Sequence, residues 1–226
     1  MTQSVVQRFT VSLAGGSVFA ALAAIMTLAK ASIPFPLIPY LQIDFSEIPI
    51  LIAFFLFGPV SATISAVIQW IFLNVQGSDA PLGPMIKLIA IMSMLGGFAF
   101  GNVLYKRIRH DGNRPALAIS LMFGGGMLWR VVAMTLVNYV VLLYVGPVFF
   151  GADYLGFAKF TLEQTTGWRF GSDFMVLGYT LIFTAVYNVI SLIVAAIPAG
   201  LIITPVTKSF KHITSVEAWL VRSTRS

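Results

Sequence analysis

The sequence predicts an all-α integral membrane protein of six transmembrane helices, with both ends in the cytoplasm. Three observations carry this. The 226 residues are 58% hydrophobic and only 10% charged, with a mean hydropathy of +0.91. A soluble domain carries about 25% charged residues, so this chain lacks the polar side chains to coat a globule in water. The apolar runs are long and continuous rather than alternating, so they span lipid as helices and not as strands of a barrel. Finally, Lys and Arg concentrate in every second connection, as the positive-inside rule requires.

The elements follow in order. The first span runs from Val11 to Ala31. Ala29-Lys30-Ala31 resembles a signal cleavage site, but the run from Phe9 to Ala29 exceeds the roughly 7–15 residues of a signal h-region, so it reads as a span. The second starts near Ser46 and ends at Gly58-Pro59, a tight break, and the third runs from Val60 to Val75. The fourth covers Pro84 to Tyr105, the fifth Pro115 to Val145, and the sixth Met175 to Thr204. Counting spans from a cytoplasmic start places Arg8, Lys106, Arg107, Arg109, Arg114, Lys208, Lys211, Arg222 and Arg225 inside. Lys30, Lys159 and Arg169 fall outside, with Asp44, Glu47, Asp79, Asp153, Glu163 and Asp173. Residues 1–206 then form the membrane domain and 207–226 a cytoplasmic tail, in which Val216, Trp219 and Leu220 suggest a weak amphipathic helix. The connection 146–172 is rich in aromatics and reads as an interfacial helix, as a lid, or as both. No internal repeat is evident, so an inverted-repeat transporter plan has no support.

The segment from Leu41 to Pro49 holds the most chemistry. Asp44 and Glu47 lie between apolar segments, behind Pro34, Pro36 and Pro39, which bar a helix there. Asp44-x-x-Glu47 has the spacing of a capping box, and Ser46 can equally cap a helix that begins at Glu47. A capped helix start explains less of Leu41-Gln42-Ile43, an extended stretch whose amides and carbonyls suit a planar heterocycle. Asn138 and Asn188 are amides within spans, costly unless paired; an interhelical hydrogen bond and a ligand contact both satisfy them. Arg130 sits mid-span with no acid at its depth, so Gln69, Asn74, Asn102 or backbone carbonyls are its expected partners, and it either contacts a ligand or stabilises helix packing. Gly16, Ala20 and Ala24 form a small-residue ladder on the first helix, which favours close helix packing.

Absences narrow the function. There is no cysteine, which removes disulfides and thiolate chemistry. No phosphate loop, H-E-x-x-H or G-x-S-x-G occurs, so the chain is no ATPase or hydrolase of those kinds. His110 and His212 lie on the cytoplasmic side with no ligand cluster, and no metal or cofactor is expected. A self-sufficient secondary transporter or channel would carry intramembrane carboxylates or a polar pore, and neither is seen.

A family resemblance then connects these features. Leu41-x-Ile43-Asp44-Phe45-Ser46-Glu47-Ile48-Pro49 resembles the "DFSDIP" signature of the substrate-binding S-components of energy-coupling factor (ECF) transporters, nearest the riboflavin-specific RibU type. Leu56-Phe57-Gly58-Pro59, Gly77-Ser78 with Leu82-Gly83-Pro84, Tyr105-Lys106-Arg107, Asn138-Tyr139 and Asn188-Val189-Ile190 resemble later motifs of that family, in the same order. Departures are Glu47 for the usual Asp, Lys87 for the usual acid after the third-loop motif, and Ser191 for the usual sixth-helix Lys. The resemblance implies a six-helix plasma-membrane protein, not an enzyme, that captures riboflavin or a related flavin from outside. It implies ligand contacts from Leu41, Gln42, Ile43, Asp44, Gly83, Lys87, Asn138, Asn188 and Ser191. It also implies docking of a transmembrane coupling subunit, itself joined to ATPase subunits, on Gly16, Ala20 and Ala24. Another vitamin on the same fold, such as thiamine, pantothenate or a queuosine precursor, is the competing expectation.

Overall fold

The structure is a computed structural model that describes residues 5–76, 80–108, 114–151, 153–214 and 217–225. The Gly77-Ser78 motif, Asp79, Arg109, His110 and Val216 lie outside the described residues. Four described helices are long and apolar enough to cross a membrane: 6–28, 82–108, 115–150 and 173–209. The remaining two of the six expected spans are shorter, Glu47–Phe57 and Pro59–Val75.

Helix α1 (Val5–Leu28) ends with Lys30 in the left-handed region at φ 51°. The Ala31 amide bonds to the Met26 carbonyl and the Lys30 amide to that of Thr27, which closes the helix end. The proline-rich segment that follows is extended, as its φ restriction dictates, but it also pairs with itself. Strands β1 (Ser32–Phe35) and β2 (Ile38–Asp44) form an antiparallel hairpin, with Ser32 opposite Asp44 and Ile33 opposite Ile43. The all-α expectation is corrected to that extent. A two-stranded sheet has only edges, so prolines without amide hydrogens are tolerated in it.

Helix α2 (Glu47–Phe57) has 11 residues. At 1.5 Å per residue it rises about 16 Å, roughly half of a 30 Å hydrocarbon core. It ends at Gly58, where φ is +105° and a side chain would meet Trp219, so only glycine fits the break before α3 (Pro59–Gln76). Helices α4 (Leu82–Ile108) and α5 (Pro115–Val140) pack almost backbone to backbone. A Cβ on Gly97 would lie 2.4 Å from the Gly125 carbonyl oxygen, and one on Gly101 2.2 Å from that of Leu121. A π-helical turn (Val141–Val145) and α6 (Gly146–Phe150) extend α5. Helix α7 (Tyr154–Thr166) crosses to α8 (Asp173–Thr214), which continues ten residues past the expected end at Thr204. Helix α9 (Trp219–Arg225) folds back: Trp219 meets Phe54 edge-on at 4.9 Å, and Ala218 is buried. Residues 217–225 are thus packed onto the bundle rather than extended from it.

Two apolar clusters result. One fills the bundle around Ile50, Phe54, Phe98 and Leu192. The other lies under the hairpin, around Ile38, Ile43, Leu162 and Tyr187. Chain order sets a polar layer between them. Asp44–Glu47 follows Ile43 and precedes Ile50, and Asn188 and Ser191 lie between Tyr187 and Leu192.

Candidate functional site

The polar layer is built by five helices and the end of β2. From α8 come Thr180, Thr184, Asn188 and Ser191, all buried, at a spacing that keeps them on one face. Buried Gln69 reaches it from α3, whereas Ser61 and Ser65 on the same row donate to the Ser12 and Gly16 carbonyls of α1. Helix α2 contributes Glu47, α4 Lys87 and α5 Arg130.

Arg130 and Glu47 form its centre, with side chains 1% and 0% exposed. Arg130 Nη1 donates to Glu47 Oε2 at 2.5 Å and Nη2 to Glu47 Oε1 at 3.0 Å, a bidentate fork. Nε donates to Asn188 Oδ1 at 3.0 Å and Nη2 also to Ser191 Oγ at 3.3 Å. The Met94 sulfur lies 3.5 Å from Nη1 and takes its remaining hydrogen. A guanidinium has five N–H donors, and all five are engaged. This corrects the expectation that Arg130 has no acid at its depth. Because α2 has only 11 residues, its first residue lies level with the middle of α5.

Lys87 Nζ donates to Glu47 Oε1, the oxygen that also accepts from Arg130 Nη2, and lies 3.8 Å from Asp44 Oδ2. Lys87 and Asp44 are each 14% exposed, so they form the layer's accessible rim. The capping-box expectation is also corrected. Ser46 makes no side-chain cap bond, and Asp44 Oδ1 instead accepts from the Ser46 amide at 2.8 Å and its hydroxyl at 2.5 Å. Gln69 Nε2 donates to Ser46 Oγ. Among the described residues, Gln69 Oε1 and Thr184 Oγ1 are buried with no hydrogen-bond partner. The first is an acceptor and the second, a hydroxyl, is both donor and acceptor.

The hairpin is fastened over this layer by α8. Tyr187 Oη donates to the Gln42 carbonyl at 2.6 Å, and Tyr179 Oη to that of Leu37 at 3.1 Å. These phenols are two helical turns apart and hold both ends of β2.

Residues 12–209 match the profile of a family described as "ECF transporter, substrate-specific component". The chain belongs to that family. Among characterised relatives, the substrate-specific component here is 32% identical over 138 residues to the riboflavin transporter RibU of Staphylococcus aureus, covering 61% of this chain and 68% of that protein. It is 35% identical over 117 residues to the riboflavin transporter FmnP of Bacillus subtilis, covering 49% of this chain and 56% of that protein. In fold it resembles the solved S component of a bacterial ECF transporter, with a TM-score of 0.52 at 22% identity, covering 85% of this chain and 95% of that one. The family is a transport component rather than an enzyme, and the apolar helices fit a multi-pass membrane protein.

In this substrate-specific component the nine expected ligand residues separate into groups. Asp44 and Lys87 meet at the rim, and Gly83 lies one turn before Lys87 on α4. Leu41, Gln42 and Ile43 form the inner half of β2. The Gln42 side chain turns outward to accept from Ser32 Oγ at 2.6 Å, and Ile43 is buried in the apolar cluster. Asn188 and Ser191 hold Arg130, and Asn188 Nδ2 donates to the Thr184 carbonyl. Asn138 Nδ2 donates to the Met134 carbonyl in its own helix at 2.8 Å. The α1 ladder packs on α3: a Cβ on Gly16 would lie 3.1 Å from Ser61 Cα, and Ser65 Oγ donates to the Gly16 carbonyl. Ala20 and Ala24 also line a groove of about 370 Å³ beside Ile68 and Phe72 of α3. Sequence reasoning missed Thr184 and Tyr187, and treated Glu47 as a helix cap. The row Thr180, Thr184, Asn188, Ser191 on an otherwise apolar span is the signal that finds the first.

Proposed function

We propose that this chain is the membrane-embedded binding subunit for riboflavin or a related flavin, captured from outside and passed on with the help of a separate ECF coupling subunit and ATPase subunits. In this reading all six helices belong to the membrane domain, both ends face the cytoplasm, and the hairpin faces out. Glu47 and Arg130 make the fixed floor of the site. Asp44, Lys87, Gln69 Oε1 and Thr184 offer polar contacts above it, with Asn138 at the side, and the aromatic cluster of Phe35, Tyr179 and Tyr187 covers a planar ring.

One observation carries the proposal. The polar layer holds two acids and two bases, Asp44 and Glu47 against Lys87 and Arg130, so it has no net charge. A site of that kind suits a neutral cargo rich in hydrogen-bonding groups, as riboflavin is, and disfavours an anion or cation that would leave one buried charge unmatched. The names of the two relatives point the same way. Ala20 and Ala24, on the groove beside α3, are the proposed contact for the coupling subunit.

The test is a titration of the purified protein with a panel of vitamins. Riboflavin fluorescence is expected to be quenched at submicromolar concentration, with a matching rise in melting temperature. Thermal stabilisation by thiamine, pantothenate or a queuosine precursor, with no flavin quenching, would reassign the cargo.

A further inference from the structure

Helix α7 is apolar on two opposite sides. Its inner side places Ala158 and Leu162 in the cluster under the hairpin. Its outer side carries Phe157 and Phe160, which are 65% and 58% exposed. At 100° per residue these two lie about 60° apart and roughly opposite the buried pair. A helix that caps a site in water turns a polar face outward; this one turns out two phenylalanines.

Exposed Gln164 lies between the two phenylalanines on that side, but the hydroxyls and the carboxylate of the helix are engaged elsewhere. Thr161, Thr165 and Thr166 each donate a hydroxyl to the carbonyl four residues earlier, at 2.7–2.9 Å, so their hydrogens are satisfied within the helix. Glu163 Oε1 accepts the Phe170 amide at 2.8 Å, which draws its carboxylate toward the chain that follows. The outer apolar surface is also continuous with the bundle wall. Leu128, Val132, Leu136, Val140, Tyr144 and Val148 are all exposed and follow one another at four-residue steps up α5, through the π-helical turn, to α6. In a membrane protein that wall faces acyl chains. Exposed Phe150 joins it to α7 by stacking on Tyr154 at 5.4 Å, and exposed Trp168 lies just beyond α7.

We infer that α7 lies in the membrane interface at the hairpin end of the bundle, with Phe157 and Phe160 inserted among phospholipid acyl chains. The partner of this face is the bilayer itself. The same helix packs its other side on the hairpin core, so lipid forms one wall of the cap, and α7 leaves the hairpin only by withdrawing two phenyl rings from the membrane. This inference is independent of which cargo the site holds.

The chain has no cysteine, so a single introduced one is a unique labelling site. Nitroxide labels on Phe157→Cys and Phe160→Cys, in phosphatidylcholine nanodiscs, are expected to collide with oxygen in preference to a water-soluble nickel chelate. The ratio should be several-fold above that for Arg169→Cys. Ratios no higher than at Arg169→Cys would place α7 in water and overturn the inference. Spin–spin broadening between chains would overturn it in favour of a second copy on this face. The unmodified chain provides a check that needs no substitution: a photoactivatable phosphatidylcholine is expected to label the peptide spanning Phe157 and Phe160, and absence of label there would count against lipid contact.

Discussion

Substituting Glu47 by Gln tests the centre of the polar layer with almost no change in volume. Glu47 accepts two hydrogen bonds from Arg130 and one from Lys87, and its side chain is fully buried. The amide keeps one acceptor oxygen and turns an NH₂ group toward a cationic donor. Arg130, itself 1% exposed, is then left with no carboxylate. Removing one partner of a buried ion pair costs about 3–5 kcal/mol. For a chain of this size each kcal/mol shifts the melting temperature by about 2–4 °C, so a loss of roughly 6–20 °C is expected. The assay is thermal unfolding in detergent, followed by size-exclusion fluorescence. Arg130→Gln should cost a similar amount, and the double variant clearly less than the sum, because the second change removes the charge that the first stranded. Single losses below about 1 kcal/mol with an additive double variant would refute the view that this pair anchors the layer.

Other outcomes follow from the same geometry. Lys87→Met removes the rim cation; losing a charge-assisted bond of about 1.5–3 kcal/mol should weaken riboflavin binding roughly 10- to 150-fold in a quenching titration, with a smaller melting shift than Glu47→Gln. Unchanged affinity would take Lys87 out of the site. Tyr187→Phe leaves the Gln42 carbonyl without its phenol donor and should cost about 1–3 kcal/mol, read as faster amide exchange in β1 and β2. Gly101→Ala pushes a methyl group against the Leu121 carbonyl and should destabilise by about 1–3 kcal/mol or more, whereas Gly124→Ala, with nothing within 4 Å, should be neutral or mildly stabilising in the same melt. Trp219→Ala should lower the melting temperature by removing the ring packed on Phe54; an unchanged melt would show α9 to be energetically detached.

The helices were legible in the sequence because each is an apolar run bounded by charge, glycine or proline. What hydropathy does not carry is depth. The Asp44–Glu47 turn reads as a boundary feature when each helix is assumed to cross the whole bilayer, and Arg130 then has no acid at its level. Once α2 is only 11 residues long, Glu47 comes level with the middle of α5 and the two meet. The prolines before Tyr40 exclude a helix, and so announce the extended chain. They say nothing of the pairing between Ile33 and Ile43, which depends on the turn at Pro36-Leu37 and on tyrosines more than 140 residues away. The α1 ladder was legible as close packing, and α3 supplies that contact through Ser61 and Ser65. The withdrawal of Asn188 and Ser191 toward Arg130 was not, because an amide or hydroxyl in a span has several possible partners and the sequence ranks none of them.

The balance of charge in the polar layer also has an electrical meaning. A single charge moved across a membrane potential feels about 2.3 kcal/mol per 100 mV. Asp44, Glu47, Lys87 and Arg130 are tied into one cluster, so any rearrangement that moves them together along the membrane normal transports two positive and two negative charges. The work done on them by the field cancels. A cell can polarise or depolarise its membrane without biasing such a motion. Glu47→Gln would break that indifference, and turn an electrically silent step into one that voltage can favour or oppose.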